Sequence, residues 1–493
     1  MIVCPSCGAN LKFDPKSQKM LCEFCGSSFD PSEFDMQGDA QEQVIQEENT
    51  EAPEFETYDV TIFTCPQCGG ELMSVDDNTA AAFCSFCGAS TILNSRLAKG
   101  KKPEFIIPFK KTKEDCKKAY LNIVKKALFL PKEYRSEDCI DSFRGIYMPY
   151  WSYDVKQKGQ VRLSGETSHR SGDYIITDHY ALSGDVDAEY DGLSYDSSSA
   201  FEDSISEALA PFNVKERVPF ETSYMSGYYA DLADVDAGVY KWQAEKFAYE
   251  TSLNRIKNET REFKKYSITT PITPSSSQMG NAAVPTRSDK GHSSMYPVWF
   301  MSYRNGDRVA YAAVNGQTGK VVADLPIDVK KYLLSSGIIA LIIFAILNLF
   351  LVMTPTVALV VASILTILVF IINASQRSEI RKAALGEGDK GKESMKKKEA
   401  KPQKGKKQKE ERVEEAESTG LEKITMFLGI GAVVISALMI FMVKPISDVP
   451  YYVMCIVEAV FFGLSFKHTL GNYNIMATRR LPQFDRKGGD DRA

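Results

Sequence analysis

From Tyr332 onward the apolar positions fuse into runs. YLLSSGIIALIIFAILNLFLVM (Tyr332–Met353) is 22 residues without a charge, and TVALVVASILTILVFIINA (Thr356–Ala374) follows directly after Thr354 and Pro355. ITMFLGIGAVVISALMIFMV (Ile424–Val443) is a third run, and PYYVMCIVEAVFFGLSF (Pro450–Phe466) a fourth, shorter and carrying Glu458. Crossing the hydrocarbon takes about 20 apolar residues, so the first three suffice and the fourth is marginal. Short turns pair them as two transmembrane hairpins, 332–374 and 424–466, joined by a linker at 375–423 and followed by a tail at 467–493.

Residues 103–328 show the periods of a folded soluble domain. FIIPF (Phe105–Phe109) reads as a short strand. A helix follows, with Cys116, Ala119, Tyr120, Ile123, Val124, Ala127 and Leu128 on one stripe, and Thr112 with Asp115 as a capping box. GIYMPYWSYDV (Gly145–Val155) reads as a strand, and the stretch to Asp196 alternates as antiparallel strands do. Ala233–Phe263 reads as a long helix capped by Asp236, and Ser267–Ser294 as a loop. Asn305-Gly306 signals a hairpin, and Asn315-Gly316 with Thr318-Gly319 a second turn. Pro149-Tyr150-Trp151 and Pro297-Val298-Trp299 echo each other, as two related strands of one antiparallel sheet with helices on one face would.

The net charge of −5 conceals strong segregation. Between Leu21 and Ser95 there are fifteen Asp and Glu and no Lys or Arg, and most of the acids lie in 30–60, which reads as a solvated tether. Arg377–Lys423 holds fifteen Lys or Arg, and the tail adds Lys467, Arg479, Arg480, Arg486, Lys487 and Arg492, whereas the two hairpin turns offer only Lys444. The positive-inside rule then puts the N-terminus, the low-complexity basic linker and the C-terminus in the cytoplasm, with the chain in the cell membrane. The linker is either a solvated topology signal or a contact for anionic headgroups.

Eight of the eleven cysteines form four Cys-x-x-Cys-Gly units: Cys4/Cys7, Cys22/Cys25, Cys65/Cys68 and Cys84/Cys87. Fourteen residues separate Cys7 from Cys22, and fifteen separate Cys68 from Cys84. One such unit could be a redox pair. Two matched pairs of pairs instead bring four thiolates onto one tetrahedral ion, so two structural Zn2+ sites are expected, in ribbons at 1–29 and 61–95. No signal peptide precedes Cys4, which keeps the thiols in a reducing cytosol. Each ribbon is too short to bury a core, so metal is expected to supply its folding free energy, on the order of 10 kcal/mol. The two ribbons should therefore be autonomous modules on the tether. Cys116, Cys139 and Cys455 read as packed residues.

Catalytic chemistry is not marked. Of the four histidines, His169 and His179 flank a hairpin without a nucleophile beside them, and His292 and His468 stand alone. The nearest approach to a phosphate loop, GEGDKGKE (Gly386–Glu393), lacks the hydroxyl and lies in the linker. A non-enzymatic protein without a small-molecule substrate is expected. An acidic ribbon region is also poorly placed to displace counterions from nucleic acid. Glu458 is a carboxylate within an apolar run, explained equally by helix–helix hydrogen bonding, a tilted helix or a functional role.

The order of parts is distinctive: paired knuckles, FIIPFKKTKEDCKKAYLNIVKKALFLPKEY, GIYMPYWSYDV, YPVWFMSYRNGDRVAYAAVNGQTGKV, then membrane helices. It resembles bacterial zinc-ribbon membrane proteins of the YdjG-like type, often labelled TFIIB-type zinc ribbon or primosomal helicase-like. The resemblance implies a membrane adaptor that recruits cytosolic SPFH (flotillin-like) or phage-shock-type proteins in envelope stress. The alternative carried by the label is a nucleic-acid-binding replication accessory. The expected architecture is multidomain: two small β zinc ribbons, an α+β cytosolic domain with an antiparallel sheet, and four transmembrane helices.

Overall fold

The computed structural model describes residues 2–34, 57–75, 84–89, 93–261, 265–268, 286–350, 354–385, 389–390, 420–482 and 484. Most of the acidic tether, the basic linker from 391, most of the 267–294 loop and the last nine residues lie outside the described residues.

The first ribbon is a three-stranded antiparallel sheet of β1 (Leu11–Asp14), β2 (Lys19–Cys22) and β3 (Ser28–Phe29). Period-2 alternation turns Leu11, Phe13 and Met20 inward, and all three are buried. They reach burial only by docking on the middle domain. The Phe13 N–H donates to Ser226 O (3.1 Å), Ser226 Oγ donates to Leu11 O (2.5 Å), and Gln18 Nε2 donates to Phe109 O (2.7 Å). The Phe13 ring meets Tyr224 edge-on at 5.1 Å.

The second ribbon is part of the domain. Its strands β4 (Thr57–Thr64), β5 (Glu71–Ser74) and β6 (Asn94–Lys101) pair antiparallel about β4. Then follow β7 (Phe105–Ile106), α1 (Lys113–Val124), α2 (Glu137–Asp141), β8 (Arg144–Ser171), β9 (Tyr174–Asp196), α3 (Asp203–Leu209), β10 (Val218–Pro219) and β11 (Tyr229–Asp231). The domain continues through α4 (Gly238–Glu259), β12 (Lys265–Ile268), β13 (Thr286–Ser288), β14 (His292–Asn305), β15 (Arg308–Asn315) and β16 (Val321–Ala323). Its main path runs β10-β7-β14-β8-β11-β5-β4-β6. The sheet is mixed, since β11 runs parallel to β8 and β14 parallel to β7.

The two echo motifs are neighbours: Pro149 pairs with Met295 and Tyr147 with Pro297 on the antiparallel strands β8 and β14. Alternate residues of these strands feed two different apolar clusters. Tyr147, Met295, Trp299 and Met301 join the cluster containing Cys116, Tyr120 and Val124 of α1. Ile146, Met148, Tyr296, Val298 and Phe300 join the one containing Ile205 and Leu209 of α3. Helices therefore cover both faces, not one as expected. Strands buried on both faces read as continuous apolar runs, as MYPVWFM does. The Thr112–Asp115 capping box is present on α1. The long helix begins at Gly238 behind Ala237, which has no capping side chain, so Asp236 is not its cap. Gly306, at φ +65°, and Asp307 turn β14 into β15. Cys116 and Cys139 are packed in the core as expected.

Four helices are long and apolar enough to cross a membrane, the layout of a multi-pass membrane protein: α5 (Val329–Phe350), α6 (Pro355–Leu385), α7 (Gly420–Leu438, continued by a π-turn to Val443) and α8 (Val449–Met476). α6 and α8 outrun their apolar stretches by two to three turns, and the polar extension of α8 meets the sheet domain. Asn474 brackets Ile327, accepting from its N–H at 2.7 Å and donating to its carbonyl at 2.8 Å. Beyond α8, β17 (Arg479–Arg480) adds to β15 of the sheet.

Candidate metal centres

Each of the four Cys-x-x-Cys-Gly units folds into the same knuckle. The N–H of the glycine returns to the carbonyl of the first cysteine: Gly8 to Cys4 (2.8 Å), Gly26 to Cys22 (2.9 Å), Gly69 to Cys65 (2.9 Å) and Gly88 to Cys84 (3.0 Å). The first cysteine's N–H donates to the residue after or at the turn's end: Ala9, Ser27, Gly70 and Ala89. All four glycines have φ between +69° and +74°, which side chains other than glycine adopt only with strain.

The knuckles meet in pairs. Cys4, Cys7, Cys22 and Cys25 form one group, and Cys65, Cys68, Cys84 and Cys87 another, with each group's sulfurs within 4.8 Å of one another. The shortest separations are 3.6 Å (Cys4–Cys25), 3.5 Å (Cys7–Cys22), 3.8 Å (Cys65–Cys87) and 3.7 Å (Cys68–Cys84). A disulfide needs about 2.05 Å. Four sulfurs at about 2.3 Å from a central ion stand about 3.8 Å apart, so both groups fit a metal ion with four thiolates.

The clustered thiols of each group perturb one another. In the second group Cys65 is held well below the ordinary thiol range by hydrogen bonds from Cys68, Cys84 and Cys87. Cys84 is pushed well above it by Cys65, Cys68 and Cys87. One thiolate is tolerated at the expense of the next, and only a cation lets all four ionise. In the first group Cys25 is drawn down to about 6, chiefly by the Ser27 hydroxyl and N–H.

The groups differ in shelter. Cys7 and Cys25 are exposed, whereas all four sulfurs of the second group are buried. A lid that the sequence did not announce covers the second site. The Phe484 N–H donates to Cys68 O (2.7 Å), and its ring meets Phe86 edge-on at 5.5 Å. From the other side Tyr311 OH donates to Phe86 O (2.9 Å), and Arg304 Nη1 to Gln67 Oε1 (2.9 Å). Only the aromatic identity of Phe484 could have hinted at this, since nothing in its spacing relates it to the knuckles.

The histidines do not assemble a dyad. His169 pairs across the hairpin with Ile176, and His179 with Glu166, both side chains being exposed. Asp154, Asp289 and His292 also lie close enough to share a metal. However, both ring nitrogens of His292 are engaged, with Glu104 at 2.7 Å and Asp289 at 2.9 Å, so the histidine is already satisfied without an ion.

Over 335 residues the chain is 30% identical to YdjG of Bacillus subtilis (strain 168), itself uncharacterized, a match covering 66% of this chain and 90% of that protein. The chain belongs to the YdjG family. No family model matches it, and no solved structure does. The comparisons thus support the YdjG-like likeness and lend nothing to the TFIIB-type or helicase labels.

Proposed function

We propose that each cysteine group holds one structural Zn2+ and that the protein is a membrane-anchored adaptor presenting its sheet domain to a cytosolic protein partner. Four thiolates suit zinc in a reducing compartment and leave no coordination position for water, so the metal builds structure and does not activate a substrate. The segregation of basic residues supports a cell-membrane protein with both termini in the cytoplasm.

The observation that carries the adaptor reading is the β8–β9 hairpin. Past Glu166, the last residue of β8 to pair with β12, five residues run outward to Ser171, roughly 17 Å of two-stranded ladder. At its end Tyr174 and Ile175 are each 77% exposed, with Ile176 and Tyr180 half exposed. Apolar side chains held out on a rigid two-stranded arm suit capture of a protein surface. The covered knuckles of the second site, under Phe484 and Arg304, and the acidic stretch around both ribbons favour this over nucleic acid. The partner class implied by the family resemblance is an SPFH-domain protein.

The test is reconstitution: purified full-length protein in vesicles, mixed with a purified SPFH-domain protein. Saturable binding that Ile175→Asp weakens by roughly tenfold is expected. Absence of binding would remove the SPFH assignment, and binding indifferent to Ile175→Asp and Tyr174→Asp would remove the hairpin from it.

A further inference from the structure

Helices α6, α7 and α8 pack together, and their buried positions keep a seven-residue register. On α8 four of the five, Tyr451, Glu458, Ser465 and Asn472, stand seven residues apart, and Leu470 is the fifth. On α7 they are Glu422, Thr425, Gly429, Ala432 and Ser436, in steps of three and four. On α6 the same steps link the buried Thr366, Phe370 and Asn373 to the half-buried Ser363 and Arg377, and Leu359, Val369 and Ile380 are buried beside them. Such a period keeps one seam facing the neighbouring helices throughout. In a membrane bundle it is expected to be filled with small or apolar residues. Here about half of the buried positions carry hydroxyls, amides or carboxylates.

Three sets of hydrogen bonds fix the levels. Ser363 Oγ donates to both oxygens of Glu458, at 2.8 and 2.9 Å. Asn373 Nδ2 donates to Ser465 O (3.0 Å) and its Oδ1 accepts from Thr469 (2.8 Å). Arg377 Nε donates to Glu422 Oε1 (3.1 Å), which also accepts from Asn472 (3.4 Å). So α6 and α8 run parallel, and α7 opposes both. Arg377 and Ser363, Asn472 and Glu458, and Glu422 and Ser436 each lie fourteen positions apart. Equal rise brings those three steps back to one level, which puts Ser436 at the level of Glu458 and Ser363. The midpoint agrees: a Cβ added to Gly429 would meet the Phe370 ring and, at 3.4 Å, Phe461 Cβ.

Ser436 is 0% exposed and Thr366, one turn along from Ser363, is 1% exposed. Neither hydroxyl oxygen has a hydrogen-bond partner among the described residues. Glu458 is likewise fully buried, and no ion pair reaches it among the described residues. Arg377, engaged with Glu422, is about 21 Å away along the axis. Unpaired polar groups in a lipid-surrounded core are costly. A carboxylate and two unpaired hydroxyls within about one helical turn of each other would all be satisfied by a small cation.

We propose that Glu458, with the hydroxyls of Ser363, Thr366 and Ser436, forms a binding site for an alkali cation within the membrane bundle. All the donors are hard oxygens, the ligand type of s-block ions and not of zinc or copper. A single carboxylate balances a single positive charge, which selects a monovalent ion. From this level Asn373, Ser465 and Thr469 continue the polar seam to the Arg377–Glu422–Asn472 group at the sheet-domain end, so the site has a hydrophilic side and an apolar one.

The experiment uses full-length protein in nanodiscs, with radiolabelled sodium for binding and thermal unfolding in sodium, lithium, potassium or choline chloride at constant ionic strength. Saturable binding of about one ion per chain is expected, with alkali salt raising the unfolding temperature above that in choline. Glu458→Gln, which keeps the side-chain shape, should abolish both effects. Ser436→Ala, the removal of one oxygen, should weaken binding by roughly tenfold. Ser336→Ala, a hydroxyl on α5 outside the seam, should change neither. Wild-type protein that binds no alkali ion, or binding that survives both Glu458→Gln and Ser436→Ala in monodisperse protein, would overturn the proposal.

Discussion

The four knuckle glycines share one backbone conformation but not one environment, and substitution separates the two. Around Gly8 an added Cβ would meet nothing within 4 Å, whereas at Gly69 it would strike the carbonyl of Phe484. Gly8→Ala should therefore cost only the left-handed backbone penalty, about 1–2 kcal/mol. Gly69→Ala adds a clash relieved only by lifting the tail. Thermal unfolding should show the larger loss for Gly69→Ala, and limited proteolysis should cut the tail of that variant faster than that of Gly8→Ala. Equal effects would mean that Phe484 does not lie on the knuckle. A second residue-level consequence concerns Asp203, which accepts from Tyr240 OH (3.1 Å) and the Lys390 N–H (2.8 Å). Burial, and next the charge of Asp389, raise its carboxyl to about 6. A raised carboxyl favours the folded state while protonated, so its contribution fades as pH climbs from the unfolded value near 3.8 through about 6. Asp203→Asn should flatten the fall in unfolding temperature between about pH 4 and about pH 6, a difference worth up to about 3 kcal/mol.

Among the elements, the ribbons were legible in composition and spacing, but the autonomy expected of them does not hold, since the first docks on the sheet domain and the second is part of its sheet. Cysteine intervals specify which sulfurs meet because the knuckle is a local structure. Docking is nonlocal: Leu11 and Phe13 look like minimal ribbon residues until Ser226 and Tyr224 are found beneath them. Likewise nothing in Leu72 or Met73 announces that β5 pairs with β11, some 150 residues on. The membrane runs and the Asn305-Gly306 hairpin were readable for the opposite reason, since length and turn chemistry are local. The seam of α6, α7 and α8 lay hidden because its polar residues are sparse on each helix and gather only across three. The ribbons' different settings should appear in metal release. A thiol-modifying reagent added to native protein should free roughly half the metal quickly, from the group containing exposed Cys7 and Cys25, and the rest slowly. Cys22→Ser should lose the first ion and leave the main sheet paired, whereas Cys84→Ser should lower the unfolding temperature of the domain more, because the second ribbon's β5 is a strand of that sheet and the first ribbon's strands are not. A single release phase, or equal domain stability in both variants, would show the second ribbon to be as separate as the first.

At the scale of the molecule, the chain closes on itself. The last membrane helix does not end in a free tail. Arg479 is clasped by Glu202 and Asp324, its backbone pairs with Val309 at the edge of β15, and Phe484 seals the second metal site. Arg308 adds hydrogen bonds to Thr478 Oγ1 and to the carbonyls of Ile475 and Thr478, all at 2.7 Å. The sheet domain precedes α5 and the tail follows α8, so these contacts can form only if the chain crosses the membrane an even number of times. The positive-inside count reaches the same conclusion from Lys and Arg alone, without any contact. Protease protection should therefore find epitopes at the two ends together: both digested in inverted vesicles, both protected in right-side-out ones. Arg479→Glu opposes the acids that hold the tail, so it should leave this topology unchanged while exposing the C-terminal epitope to faster cleavage and the second metal site to faster release. Epitopes on opposite sides would mean that one helix, the marginal α8 first among them, does not cross. The strand β17, the Phe484 lid and the shared cytoplasmic address of the termini would then fall together, because all three depend on that crossing.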